Sequence, residues 1–188
     1  MTCIVGFIEK NKIWMGSDSL SVTDEFGQQL LLDDKIFIKS IAGIGPVLYG
    51  FAGIYKFGQT VRYSFHPPIY KKDFYDNVEH YIKTAFIGSL NARLEGEEIA
   101  DCELMIGVQG RLYRMDDDYS VTSPMMGYDV LGNAGCYAMG ALSALIPFTH
   151  LTGEQIVRKA LEAATICSAA CKPPFHILSI EGSWEGVS

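Results

Sequence analysis

The first segment of the chain has apolar or small residues on both alternating faces. Residues 2–9 read TCIVGFIE, so the odd and the even positions are both almost free of charge. A β-strand with this pattern is typical of a sheet that is covered by another layer on each side. The N-terminal segment is therefore predicted to be a strand buried between two layers.

Further elements follow from short apolar runs between turn residues and from stripes of helical period. Strands are predicted at 13–16, 28–32, 35–40, 46–53, 102–108, 111–115, 119–122, 129–131 and 175–180. Helices are predicted at 55–64, 74–94, 136–144 and 152–170, the last with a capping box from Thr152 to Gln155. Segments 28–32 and 35–40 are expected to pair as a hairpin. The order of elements predicts an α+β, four-layer αββα sandwich, formed as one domain over residues 1–188.

Composition and charge exclude several classes of protein. The 188 residues are 48% hydrophobic, which fits a globular domain, and the net charge of −7 argues against a nucleic-acid partner. The N-terminus lacks the features of a signal peptide. The longest apolar stretch, 137–148, is shorter than the roughly 20 residues of a membrane span. We therefore expect a soluble, cytoplasmic protein without a membrane partner.

Several residues have side chains that bind metals elsewhere, and for each we prefer a simpler interpretation. Cys167 and Cys171 are spaced for one helix face and could form a thiolate pair, but small buried side chains are the favoured interpretation. The acidic run 116–118 could bind a hard cation and is interpreted as a solvated turn. The four histidines are scattered and form no HExxH motif. No metal and no cofactor is predicted.

Thr2 has the chemistry of a nucleophile if Met1 is removed. Its hydroxyl needs a neighbouring base to attack a carbonyl. The freed α-amine, with a pKa of about 7.7–8.0, can be that base near neutral pH. Many chains begin with Met-Thr and make no use of it, so whether Thr2 is catalytic depends on the other residues of the chain.

Several segments together resemble proteasome β subunits, most of all the bacterial heat-shock-locus V peptidase group. In the first half these are MTCIVG (1–6), MGSDS (15–19), KIF (35–37) and GFAG (50–53). In the second half they are GNAGCYAMGAL (132–142) and ALEAATIC (160–167). The stretch RYSFHPP (62–68) is similar to short phage- and prophage-type forms. The resemblance implies an N-terminal nucleophile hydrolase that cleaves peptide bonds, works as a homo-oligomeric ring and often has an ATP-dependent unfoldase as partner.

The resemblance also implies roles for individual residues. Thr2 matches the nucleophile, Asp18 the acidic residue at the end of the second strand, and Lys35 the lysine beside the nucleophile. Gly53 matches the glycine whose N–H binds the oxyanion, and Asn133 stands where the family usually has a serine near the terminal amine.

A second departure from the family lies at 170–174. The family often has an aspartate and a serine there, whereas this chain has Ala-Cys-Lys-Pro-Pro. An amide at 133 cannot relay a proton as a hydroxyl can. Both departures concern the groups that steer the α-amine.

Substrate contacts are expected at the strand edges that flank this site. An extended peptide would pair with 19–22 and 50–53 by β-augmentation. The candidate contact residues are Ser19, Ser21, Val22, Gly50, Phe51 and Tyr55. Phe51 and Tyr55 are expected to form walls of the first specificity pocket, or to be ordinary packing residues.

Three functions stay open at this level. The first is a threonine peptidase acting through Thr2. The second is a proteasome-like assembly protein that has lost its proton relay. The third is an amide hydrolase for a small molecule on the same scaffold, because a fold does not fix a chemistry. A nucleophilic Cys3 is weaker than these, because Thr2 would also have to be removed.

Overall fold

The computed structural model describes residues 2–23, 27–30, 33–148 and 150–182. The strands are β1 (Ile4–Glu9), β2 (Lys12–Ser17), β3 (Leu20–Thr23), β4 (Gly27–Leu30), β5 (Ile36–Ile41), β6 (Gly45–Ala52), β7 (Glu103–Val108), β8 (Arg111–Met115), β9 (Val121–Thr122), β10 (Tyr128–Leu131) and β11 (His176–Glu181). The helices are α1 (Tyr55–Gln59), α2 (Val78–Tyr81), α3 (Ile87–Arg93), α4 (Gly135–Leu145) and α5 (Gly153–Cys167). A π-helical turn, Thr60–Ser64, extends α1, another, Ile82–Phe86, joins α2 to α3, and a 3-10 turn, Ile146–Phe148, follows α4.

The strands form two large antiparallel sheets and a small ribbon. The first sheet has the order β10-β1-β2-β11, and the second has the order β5-β6-β7-β8-β9. The ribbon consists of β3 and β4. β1 is thus an interior strand of its sheet, as its two apolar faces predict.

Helices cover the outer faces of both sheets and complete four layers. Side chains of the first sheet, such as Val5, pack with α4 and α5, and those of the second sheet, such as Tyr49, pack with α1–α3. A third cluster, which includes Ile4 and Met105, lies between the sheets. β1 places Val5 toward the helices and Ile4 toward the other sheet, because successive side chains of a strand point to opposite faces. The predicted αββα sandwich is confirmed.

The predicted hairpin between 28–32 and 35–40 is wrong. β4 pairs with β3, and β5 pairs with β6, while residues 31 and 32 lie outside the described part of the chain. All four residues of β4 are exposed, so this strand has no apolar face to bury within a large sheet. β5 is apolar on both faces at its start: Ile36 is buried between the sheets and Phe37 is buried against the helices.

Helix boundaries differ from the prediction where a cap or a turn intervenes. The helix predicted from Phe74 begins at Val78, because the Asn77 side chain accepts the His80 N–H at 2.9 Å and caps it. Phe74 lies in the preceding turn and is 70% exposed. The capping box at Thr152 is confirmed.

The second cysteine of the predicted i, i+4 pair does not lie on a helix. α5 ends at Cys167, which is exposed, whereas Cys171 is buried in the loop beyond. Among the described residues no cluster of three or more His, Cys, Asp or Glu side chains is arranged to hold a metal. In the same part of the chain, no helix is long and apolar enough to cross a membrane.

Candidate active site

Asp18 forms the centre of a buried polar cluster just beyond β2. Its carboxylate Oδ1 accepts hydrogen bonds from the Cys3 N–H at 2.9 Å and from the Lys35 ammonium at 2.8 Å. Oδ2 accepts the Leu20 N–H at 3.0 Å and the Lys172 N–H at 3.4 Å. Asp18 is 1% exposed. A carboxylate is stable at such depth only when charges and hydrogen bonds replace the lost water, and these four donors do so.

Lys35 is the cationic partner of Asp18 and is itself 1% exposed. Its ammonium also donates to the Leu20 carbonyl at 2.6 Å. Burial lowers the pKa of Lys35, while the charge and hydrogen bond of Asp18 act in the opposite direction. The side chain is therefore a fixed cation that gives up its proton more readily than a surface lysine.

Thr2 is held through its own backbone and that of Cys3. The Thr2 carbonyl accepts the Ala134 N–H at 3.3 Å, and the Cys3 carbonyl accepts the Asp18 N–H at 3.3 Å. Gly132 has a φ of +81°, and a Cβ there would lie 2.4 Å from the Thr2 carbonyl oxygen. Only a glycine allows the turn 132–134 to approach Thr2 so closely. The structure thus brings Thr2, Asp18 and Lys35 into one contact network.

Asn133 and Gly53 lie at the edges of this network. Asn133 is the exposed middle residue of the turn 132–134. Gly53 directly follows β6 and has a φ of +106°. A Cβ at Gly53 would lie 2.8 Å from both Cα and Sγ of Cys102, so no larger residue fits there. Two residues before Gly53, the Phe51 N–H donates to the Lys35 carbonyl at 3.0 Å, so the end of β6 lies next to Lys35.

The predicted substrate edge at 19–22 is partly occupied by the chain itself. Ser19 donates its N–H to the Lys172 carbonyl at 3.1 Å and its hydroxyl to the Pro174 carbonyl at 2.7 Å. These donors of Ser19 are thus engaged with the loop 172–174. Ser21 and Val22 lie in β3, which pairs with β4 along one edge, and no described strand pairs with its other edge. On this edge without a described strand partner, Ser21 is buried and Val22 is half-buried, and their part in peptide binding stays a prediction.

Gly50 does not lie at a substrate edge, contrary to the prediction. It is paired with Ile36 of β5 on one side and with Met105 of β7 on the other. A Cβ on Gly50 would lie 2.7 Å from Met15 Sδ and 2.9 Å from a methyl group of Ile4. Gly50 is therefore a core residue that allows the two sheets to approach each other.

Phe51 and Tyr55 line a small pocket beside the site that is open to solvent. Their rings meet edge to face with centroids 5.8 Å apart. Asp33 and Arg62 form part of the same wall. Burial raises the pKa of Tyr55 to about 12, with smaller contributions from the carboxylates of Asp18 and Asp33. The pocket is aromatic at its walls and carries charges of both signs.

Two residues of the loop after α5, Cys171 and Lys172, belong to the network, although neither was predicted to take part in it. Lys172 contributes through its backbone, which no side-chain pattern reveals. The thiols of Cys171 and Cys3 interact: hydrogen bonding to Cys171 and then burial raise the pKa of Cys3. The signal that could have identified both was the departure from the family pattern at 170–174.

Solved structures share this fold over nearly the entire chain. BPH of Thiobacillus denitrificans, solved in complex with epoxomicin, matches with a TM-score of 0.77 at 17% identity, covering 97% of this chain and 100% of that one. HslV of Trypanosoma brucei matches with a TM-score of 0.73 at 18% identity, covering 96% and 99%. The Anbu complex of Pseudomonas aeruginosa, described as a helical assembly, gives 0.64 at 17% identity over 96% and 81%.

This chain has the proteasome β-subunit-like fold of HslV. The assignment rests on structure, because no family model and no curated protein matches the chain. At identities of this level the likeness establishes the fold alone. The proteasome-like fold agrees with the expectation drawn from the sequence segments, while the phage-type origin stays a prediction.

Proposed function

We propose that this chain is a threonine peptidase of the proteasome type, with Thr2 as its nucleophile after removal of Met1. The observation that carries the proposal is the buried Lys35–Asp18 pair, which is bonded to the backbone directly after Thr2. A buried ion pair is costly to maintain, so its hydrogen bond to Cys3, the residue next to Thr2, favours a catalytic use.

In the acylation step, Thr2 would supply both the nucleophile and the base. The Thr2 hydroxyl oxygen attacks the substrate carbonyl carbon, and the hydroxyl proton passes to the Thr2 α-amine. The positive charge of Lys35 disfavours protonation of that amine beforehand and favours the developing alkoxide. The Gly53 N–H donates to the oxyanion. When the C–N bond breaks, the leaving amine takes the proton from the α-ammonium and an ester on Thr2 remains.

Deacylation would reverse these roles with water as the nucleophile. The α-amine accepts a proton from the water, whose oxygen attacks the ester carbonyl. The C–O bond to Thr2 then breaks, the hydroxyl regains its proton and a peptide carboxylic acid leaves. Asn133, at the exposed side of the turn, would hydrogen-bond the amine or the water without relaying a proton.

An extended peptide is the proposed substrate. It would add to the open edge of β3 at Ser21 and Val22. The side chain before the cleaved bond would enter the pocket lined by Phe51 and Tyr55. We expect neither a cofactor nor a metal in these steps, since every proton transfer has a partner on Thr2 itself.

The test is covalent labelling by a peptide epoxyketone, a reagent that reacts with both the hydroxyl and the amine of an N-terminal threonine. Intact mass should show loss of Met1 and addition of one inhibitor. Thr2→Ala should abolish labelling, and Lys35→Met should slow it strongly. The matched control is Lys39→Met, a lysine within β5, the strand that begins directly after Lys35; its ammonium bonds the Arg62 carbonyl instead, and the variant should label like the wild type. A retained Met1, or a free Thr2 that never reacts, would refute the peptidase and leave an assembly protein.

Self-assembly is the second part of the proposal. Met125, Phe148 and Ile166 are 97%, 88% and 85% exposed and so are available to a contact surface, and the Anbu complex of similar fold is described as a helical assembly. We infer a cytoplasmic homo-oligomer, a ring by resemblance, which an ATP-dependent unfoldase would supply with unfolded peptide. Light scattering after size exclusion tests this, because a monomer at micromolar concentration would contradict it.

A further inference from the structure

Glu103 lies at the first position of β7 and reaches across to the turn that holds Thr2. Its carboxylate Oε2 accepts the Gly132 N–H at 2.8 Å. Its other oxygen, Oε1, forms an ion pair with Arg114 on the neighbouring strand β8. The side chain is 20% exposed, so its hydrogen bonds are largely shielded from water. A carboxylate bond to a backbone N–H of this kind is among the stronger hydrogen bonds in proteins.

The backbone of Glu103 contacts the other side of the site. Glu103 is paired with Ala52, the last residue of β6. Gly53, the proposed oxyanion donor, follows directly. Glu103 therefore connects two parts of the site that belong to different sheets. Its backbone pairs with β6, the strand that leads into Gly53, and its side chain holds the turn at Gly132.

The turn has little freedom to move without moving Thr2. Ala134 of the turn donates its N–H to the Thr2 carbonyl at 3.3 Å. The α-carbon of Gly132 is so close to that carbonyl that a Cβ there would lie 2.4 Å from its oxygen. A shift of the turn away from Thr2 breaks the Ala134 hydrogen bond. The position of the turn thus sets the position of the Thr2 backbone.

We propose that Glu103 is a positioning residue that fixes the distance between Thr2 and the oxyanion site at Gly53. The inference rests on the proposed peptidase function. Glu103 itself touches neither the substrate nor the reacting atoms. Arg114 pairs with the other oxygen, Oε1, and also with Asp116 at 2.8 Å, so this ion pair can be broken without removing the oxygen that holds the turn.

Two substitutions separate hydrogen bonding from charge. Glu103→Gln removes the charge but keeps an oxygen at the same reach, so the bond to the Gly132 N–H can still form. Glu103→Asp keeps the charge but is one methylene shorter, so the bond is lost. We expect the Gln variant to retain kcat within about 3-fold. The Asp and Ala variants should lose about 10- to 100-fold in kcat, the range for a reacting group displaced by an ångström or less, with KM changed less than about 2-fold.

Arg114→Gln is the matched control for a merely structural role. It breaks the ion pair of Glu103 but leaves the bond to Gly132 intact. It should therefore lower the melting temperature at least as much as Glu103→Asp does, while kcat stays within about 3-fold of the wild type. The readouts are steady-state cleavage of a fluorogenic peptide, the rate of epoxyketone labelling and the melting temperature of each variant.

The outcomes distinguish this inference from the function on which it rests. The inference is supported if activity follows the order wild type, Gln and then Asp. It is overturned if Glu103→Gln lowers kcat as much as Glu103→Asp does, or if Arg114→Gln does so. It is also overturned if the Gln, Asp and Ala variants of Glu103 all match the wild type. If the wild type itself is inert toward the epoxyketone and the peptide, the peptidase function fails first and this role of Glu103 falls with it.

Discussion

Removing Asp18 should cost more folding stability than removing its cationic partner. In Asp18→Ala, the Cys3 and Leu20 N–H groups lose their acceptor, at distances of 2.9 and 3.0 Å in the native chain. Each unsatisfied buried donor costs about 1–3 kcal/mol. Breaking the buried ion pair costs about 3–5 kcal/mol. Part of this cost is relieved because the isolated Lys35 amine can lose its proton, so we expect a total loss of about 5 kcal/mol.

In Lys35→Met the same ion pair is broken from the other side, but the carboxylate keeps its backbone donors. Asp18 would still accept hydrogen bonds from Cys3, Leu20 and Lys172. The loss should therefore stay near the lower limit for a broken buried pair, about 3 kcal/mol. The two variants should differ by about 2 kcal/mol, which for a chain of this size corresponds to about 4–8 °C in the melting temperature.

Urea unfolding and thermal melting followed by circular dichroism at pH 7 measure this difference. Lys159→Met is the control, because its exposed pair with Glu162 is a surface contact that should change the free energy of unfolding by less than about 1 kcal/mol. If Asp18→Ala is no less stable than Lys35→Met, the backbone donors contribute nothing. The argument that Asp18 organises the site through the strands around it would then be refuted.

Three further predictions concern pH, the glycine turn and the capping box. Folding lowers the pKa of Lys35, so the unfolded chain binds this proton more tightly. The free energy of unfolding should therefore rise with pH up to about 10.4. Urea unfolding repeated across pH should show no such rise in Lys35→Met. Gly132→Ala should abolish epoxyketone labelling and lower the melting temperature, because its Cβ would meet the Thr2 carbonyl, whereas Gly88→Ala, with open space around the new Cβ, should do neither. Thr152→Ala should cost about 1 kcal/mol in urea unfolding, and an unchanged midpoint would show that the capping box of α5 is dispensable.

The layers of the fold could be predicted because the pattern of each strand reports its environment. β1 is apolar on both faces and proves to be an interior strand between helices and a second sheet. β4 could not be placed in the same way. Its residues are polar apart from Leu30, and all four are exposed, so burial gives no signal of its partner. Strand pairing in such segments depends on turns rather than on hydrophobicity.

The residues of the candidate site also differ in whether the sequence could predict them. Thr2, Asp18 and Lys35 were found by resemblance; the structure joins Lys35 to Asp18 through their side chains, and Asp18 to the chain beside Thr2 through the Cys3 N–H. Lys172 takes part through its N–H, and the role we propose for Glu103 depends on a single backbone N–H across two sheets. Interactions of that kind depend on where the chain passes and not on which side chains it carries. Sequence reasoning therefore misses them even when the fold is predicted correctly.

The order of strands in the first sheet has a consequence for synthesis on the ribosome. β1 and β2 can pair as soon as they emerge, but β2 also needs β11, and Lys12 lies opposite Glu181. The hydrogen-bond donor to Asp18 that lies furthest along the chain is the Lys172 N–H. Such contacts between distant parts of a chain form late and slow folding. A nascent chain therefore acquires the geometry around Thr2 only when Lys172 and β11 have been made, so under the proposed function an unfinished chain would be inert.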